Sequence, residues 1–121
     1  MAVGSRGVPT RRDMIWIDCN PQAGREMKDV HPLLVLSPRD FNERTGIVIG
    51  FPMTTASYND SNPFAIKFIG PRGAADYILA HQPKSFDWRA CAAKRHPWGQ
   101  VPAKPFALAC ETLHQSIAIG A

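Results

Sequence analysis

Between positions 81 and 89 the chain reads HQPKSFDWR, which sets an imidazole, an ammonium, a carboxylate, an indole and a guanidinium side by side directly after the apolar run from Tyr77 to Ala80. A strand that ends in such a cluster marks a site more readily than a core. His81 opens the cluster, and an imidazole with an ordinary pKa of about 6.5 can serve as acid or base at neutral pH, which lysine and arginine do not readily do. Lys84 and Arg89 with Trp88 add the cationic and aromatic surfaces that single-stranded nucleic acid uses for phosphate contact and base stacking. Trp88 could equally pack inside with only its N–H wetted, and His81 could simply hydrogen-bond a loop carbonyl. Trp16 reads as structural, and His96 and His114 as surface or capping residues.

The elements that carry these groups must come from one small domain. The chain has 121 residues, 45% of them apolar and 20% charged, which suits a single globular core and argues against disorder. So short a chain buries only part of its surface, so association between subunits would add stability. Fourteen Lys and Arg against 10 Asp and Glu give a net charge of +4 and a pI near 9.3, which permits a polyanionic partner without requiring one. The 3 cysteines, Cys19, Cys91 and Cys110, lie far apart without a CxxC pair, so neither a disulfide framework nor a zinc site is expected; reduced thiols in a cytoplasmic protein fit best. Scattered aspartates predict no metal site, and no phosphate-cradling glycine loop, GxSxG elbow or HExxH occurs. No signal core or membrane-length apolar run is present, so no membrane association is expected.

Residues 1–12, rich in Gly, Arg and Ser, read as a flexible leader, and residues 13–121 as the functional domain. DMIWIDC suits a strand on a packed sheet, residues 20–30 a mobile polar loop, and residues 33–36 a short strand. Ser37 as N-cap, Pro38, Asp40 and the stop at Gly46 predict one short helix. Residues 47–53 read as a central strand ending near Thr54 and Thr55, residues 56–63 as a polar loop, and residues 64–69 as a half-buried strand. Phe106, Cys110, Leu113 and Ile117 recur with helical spacing, predicting a terminal amphipathic helix over 105–119. The expected fold class is α+β, a curled and mainly antiparallel sheet with a short inner helix and a C-terminal helix.

Four blocks in this order, IWIDCNPQAGRE, HPLLVLSP with FNERTG, GFPMTT and HQPKSFDWRA, resemble the MazF/PemK family of toxin ribonucleases from bacterial toxin–antitoxin pairs, over residues 13–119. The resemblance implies a small SH3-like β-barrel, a homodimer, a cognate antitoxin, and cleavage of single-stranded mRNA at short sequence motifs with no metal ion or other cofactor. DNA would be met only through the antitoxin complex. In the family an Arg-Pro pair usually closes the loop after the first strand, and that arginine acts with the threonine after the third strand. Here His31 precedes Pro32 in the arginine's place, Thr54 stands at the threonine position, and His81 lies where some members carry an aspartate.

Metal-free RNA cleavage needs a base for the 2′-hydroxyl, an acid for the departing 5′-oxygen and positive donors for a dianionic phosphorane. The expected roles are His31 as acid–base group or phosphate donor in the arginine's place, His81 opposite it as the second imidazole, and Thr54 as the hydroxyl that donates to the phosphate. Arg25 is a stand-in for the missing guanidinium, and Glu26 a base or an ion-pair partner of Arg25 or Lys28. Lys28, Lys84, Trp88 and Arg89 are the expected RNA contacts. His31 could instead brace the turn before Pro32. Two alternatives stand beside the enzyme: a gyrase poison like CcdB, whose critical tail often ends Trp-Gly-Ile where this chain ends Ile119, Gly120 and Ala121, and an impaired family member acting through antitoxin or DNA binding. The acid–base assignment predicts that His31→Ala and His81→Ala each lower RNA cleavage about a hundredfold or more. Near-normal cleavage by both variants removes it.

Overall fold

The protein's structure, a computed structural model, describes residues 7–18 and 30–117. Its frame is three neighbouring antiparallel strands, β1 (Asp13–Asp18), β2 (Val30–Val35) and β3 (Ile47–Thr54), in which side chains alternate between two packed faces. Ile15, Ile17, Leu33, Val35 and Val48 enter one core with Val8, Trp88 and Cys91. Met14, Leu34, Phe51 and Met53 enter a second core with Phe68, Ile78, Val101 and Ala109. Residues this apolar on both faces read as continuous runs rather than as alternation, which is why MIWI and LLVL show no polar alternation.

The outer strands complete a curled sheet. β4 (Ala65–Ile69) and β5 (Ala75–Leu79) form a hairpin on the end of β3, β6 (Lys84–Asp87) pairs with the start of β3, and β7 (Lys94–Gln100) pairs with β1. The order is β4-β5-β3-β2-β1-β7, with β6 also on β3. Two helices, α1 (Arg39–Thr45) and α2 (Ala103–Ile117), finish the expected α+β arrangement. Among the described residues no helix is long and apolar enough to cross a membrane.

The short inner helix ends where expected, at Gly46, whose φ of 73° is the left-handed conformation that glycine tolerates. Its start differs. Pro38 is the N-cap, and the Ser37 hydroxyl turns instead to Asn42 and accepts the N–H of Ile49. Asn42 is fully buried and acts as a hub: its side-chain amide donates to the carbonyls of Pro9 and Ser37, and its backbone carbonyl accepts the Trp88 indole N–H at 2.8 Å. A buried amide is tolerated only when its polar atoms are paired in this way.

Two expectations are corrected. Residues 7–12 are no loose leader: Val8 and Pro9 are buried, and Arg12 donates its N–H to Val35 and its Nε to the carbonyl of Val101. Cys91 is disulfide-bonded while Cys110 is a free thiol, so the three cysteines are not all reduced. The amphipathic terminal helix forms as expected in α2, with Phe106 and Leu113 packed on the second core and Ile117, at its end, 53% exposed. The polar loop after β3 also contains a 3-10 turn, Ser57–Ser61, that composition did not suggest.

Asp76 on β5 is buried opposite Phe68, and that burial pushes its carboxyl up to about 6, with only the Tyr77 N–H in partial compensation. A carboxyl whose folded pKa lies above its unfolded value binds more protons when folded, so its effect is to lower stability as pH rises from about 4 to about 6. Asp76→Asn is therefore expected to stabilise the protein by about 2 kcal/mol at pH 7.5 and by almost nothing at pH 4, read from urea unfolding at both values.

Candidate active site

The pairing of β1 with β2 sets His31 opposite Ile17, and β2 with β3 sets Leu33 opposite Pro52. The pairing of β6 with β3 sets Lys84 opposite Gly50. These registers assemble a narrow cleft of about 90 Å³ lined by Ile17, His31, Pro32, Leu33, Pro52, Lys84 and Phe86. Its walls are apolar, and its polar groups are the exposed His31 imidazole and the Lys84 ammonium. Glycine at position 50 keeps β2 and β3 close, because a Cβ there would lie 2.3 Å from the Leu34 carbonyl oxygen.

Thr54 ends β3 two residues beyond Pro52 and pairs with Tyr77. Its hydroxyl accepts the Ala56 N–H at 3.2 Å, which uses a lone pair and leaves its hydrogen available to donate. The turn that follows is clamped: one carboxylate oxygen of Asp60 accepts the Tyr77 hydroxyl at 2.6 Å and meets Lys67 Nζ at 3.0 Å. The Tyr77 hydrogen bond, and after it Lys67, hold the Asp60 carboxyl below the usual carboxylate range.

His81 lies in the turn between β5 and β6, exposed, with its ring tilted against Phe64 at 5.9 Å and its Nε2 3.2 Å from the Gln82 amide nitrogen. It does not line the cleft that holds His31. The fold thus brings His31 and Lys84 together, places Thr54 two residues from the cleft wall, and sets His81 on the turn leading into Lys84. Arg25, Glu26 and Lys28 lie outside the described residues.

Trp88 is corrected. Its ring is buried in the first core, its N–H is taken by Asn42, and the Arg89 guanidinium covers it at 4.2 Å, so no face remains for a base. Arg89 itself is exposed. The Asp87 carboxylate accepts the N–H groups of Arg89 and Ala90, which fixes this turn locally.

A feature that sequence reasoning missed lies on the sheet's other face. Trp16, Asp18, Val30, Ala92 and Lys94 line a cavity of about 410 Å³, and His96 stacks on Trp16 with ring centroids 4.6 Å apart. Burial pushes the His96 imidazole below its usual pKa. The alternation Met14, Trp16, Asp18 was the available signal, since it puts a carboxylate on the same face as a partly exposed indole. Among the described residues no group of three or more His, Cys, Asp or Glu is placed to hold a metal ion.

Residues 10–117 match the model of the PemK-like, MazF-like toxins of type II toxin–antitoxin systems. The endoribonuclease toxin MazF of Escherichia coli K12 is 40% identical over 93 residues, which cover 75% of this chain and 79% of that protein. The crystal structure of MazF from Deinococcus radiodurans superposes with a TM-score of 0.75 at 29% identity, covering 93% of this chain and 98% of the other. A MazE–MazF complex from the same organism gives a TM-score of 0.76 at 25% identity, with 93% and 98% covered. This chain belongs to the PemK/MazF toxin family.

If Lys84 meets a phosphate, Lys84→Gln should weaken binding of a single-stranded oligonucleotide and flatten the slope of log K against log salt by about 0.7. Fluorescence anisotropy over a salt series measures this, and an unchanged slope takes Lys84 out of phosphate contact.

Proposed function

We propose that this protein is the endoribonuclease toxin of a type II toxin–antitoxin pair, cutting single-stranded mRNA at short sequence motifs without a metal ion. The observation that carries the reading is the cleft in which His31 and Lys84 meet beside Pro52, two residues before Thr54. Family membership and the 40% identity to an endoribonuclease support it.

In this reading neutral His31 takes the proton of the ribose 2′-hydroxyl, whose oxygen attacks the adjacent phosphorus. The bond from phosphorus to the 5′-oxygen breaks, His81 protonates that oxygen, and the products carry a 2′,3′-cyclic phosphate and a 5′-hydroxyl. Lys84 opposes the negative charge that accumulates on the phosphorane, and the Thr54 hydroxyl donates to one of its oxygens. Arg25 supplies further positive charge, Glu26 orients the loop or shares the base role, and Lys28 and Arg89 hold the strand to either side. Imidazole in place of the family's guanidinium makes proton transfer, rather than charge alone, the central contribution of position 31.

The partners follow from the same reading: a homodimer in the cytoplasm, and a cognate antitoxin whose disordered, acidic segment folds over the basic toxin. A net charge of +4 and the MazE–MazF complexes among similar structures support that pairing. DNA is reached only through the antitoxin complex. The gyrase-poison alternative leaves the His31 cleft without a role.

Purified protein incubated with single-stranded RNA in excess chelator should cut it, leaving 2′,3′-cyclic phosphate ends detectable by mass spectrometry. RNA that stays intact while gyrase stalls on DNA overturns the reading in favour of the poison.

A further inference from the structure

The cavity beside Trp16 lies on the opposite face of the sheet from His31, because Trp16 and His31 occupy positions of opposite parity in adjoining, paired strands. Its volume of about 410 Å³ falls within the range of small-ligand sites. Trp16 pairs with Pro32 on one side and Lys94 on the other, so the indole sits where β1, β2 and β7 meet with an ammonium beside it.

The indole is braced from behind. His96 stacks on it at 28° between ring planes, the Trp98 ring meets His96 edge-on at 5.1 Å, and Phe68 meets Trp98 edge-on at 6.5 Å. The backbone N–H of Trp98 donates to His96 Nδ1 at 3.1 Å, which fixes the imidazole's orientation. Gly70 lets Trp98 seat fully, since a Cβ there would lie 2.2 Å from the indole. This ladder runs from the second core to the cavity rim. Among the described residues the cavity wall holds Trp16, Asp18, Val30, Ala92 and Lys94, with His96 stacked on Trp16 outside it. An aromatic ring held rigid by a stacking partner and lining a cavity beside a cation is the arrangement on which single-stranded nucleic acid stacks its bases. Rigidity matters because an ordered platform loses little entropy when it captures a base.

We infer that Trp16 is the platform of a nucleotide subsite, with one RNA base stacked on its indole and the neighbouring phosphate on Lys94. The inference rests on the ribonuclease reading above and deepens it. Because the platform and His31 face opposite sides, the base held here flanks the scissile nucleotide rather than being part of it. Stacking accepts any base, so this subsite contributes affinity and register, while base choice lies elsewhere.

The test uses an RNA made uncleavable by a deoxyribose at the scissile position, with single abasic sites placed in turn at each flanking position. Wild-type protein should lose binding about tenfold at one position. Trp16→Leu should lose a similar factor on the intact RNA and nothing more at that position, and Trp16→Phe should keep most of the affinity. A folded Trp16→Leu variant that shows the wild-type abasic pattern overturns the subsite. Should that variant unfold, 2-aminopurine scanned through the RNA on wild-type protein decides: quenching on binding at one flanking position, relieved by Trp16→Phe less than by Lys94→Gln plus Trp16→Phe, supports it, and quenching at no position overturns it. Wild-type protein that cleaves RNA yet shows no position-specific loss sinks the subsite alone, whereas wild-type protein that neither binds nor cleaves RNA sinks the ribonuclease reading.

Discussion

The register of β1 against β2 decides where every reactive group on these strands ends up. Side chains alternate across a strand, so a slip of one residue would exchange His31 with its neighbours' face and turn Trp16 toward the first core. What forbids the slip is packing on both sides. Ile15, Ile17, Leu33, Val35 and Val48 fill one core, and moving them out would cost about 2 kcal/mol each. That sum rivals the whole net stability of a small domain, about 5 to 15 kcal/mol. The His31 cleft and the Trp16 cavity are therefore opposite readings of one alignment.

The second constraint is β3, which serves two edges at once. One edge holds β2, and the other holds β6 at its start and β5 at its end. Gly50 narrows the first junction, Pro52 lies at the level of the turn from β5 to β6, and the Asp60 clamp fixes the turn after Thr54. Lys84 and Thr54 are consequently positioned by the same strand that bounds the cleft. Proline in the middle of a sheet removes a ladder hydrogen bond, and here Pro32 and Pro52 both stand at the cleft.

The three central strands, both helices and the stop at Gly46 were legible in the sequence because each rests on local chemistry: apolar β-branched runs, a helical stripe, a glycine that accepts positive φ. The MazF/PemK motifs carried the family as well. What stayed hidden depends on long-range partners. Trp88 could be read as a base platform until its N–H was seen bonded to Asn42, 46 residues away in sequence. The leader looked loose because Val8 and Pro9 bury against residues that no window of sequence places beside them. The His96 stack on Trp16 and the joint cleft of His31 and Lys84 likewise come from strand pairing, which sequence spacing does not encode.

Arg12 links the two ends of the described chain, holding Val35 with its N–H and, across 89 positions, exchanging hydrogen bonds with Val101 through its carbonyl and its Nε. Such distant closure carries a loop entropy that is repaid only when the last helix is available to pack. During synthesis this latch cannot form until Val101 has emerged, 89 positions after Arg12. A toxin latched so late stays unfinished through most of its own translation, an interval in which a waiting antidote can take its place.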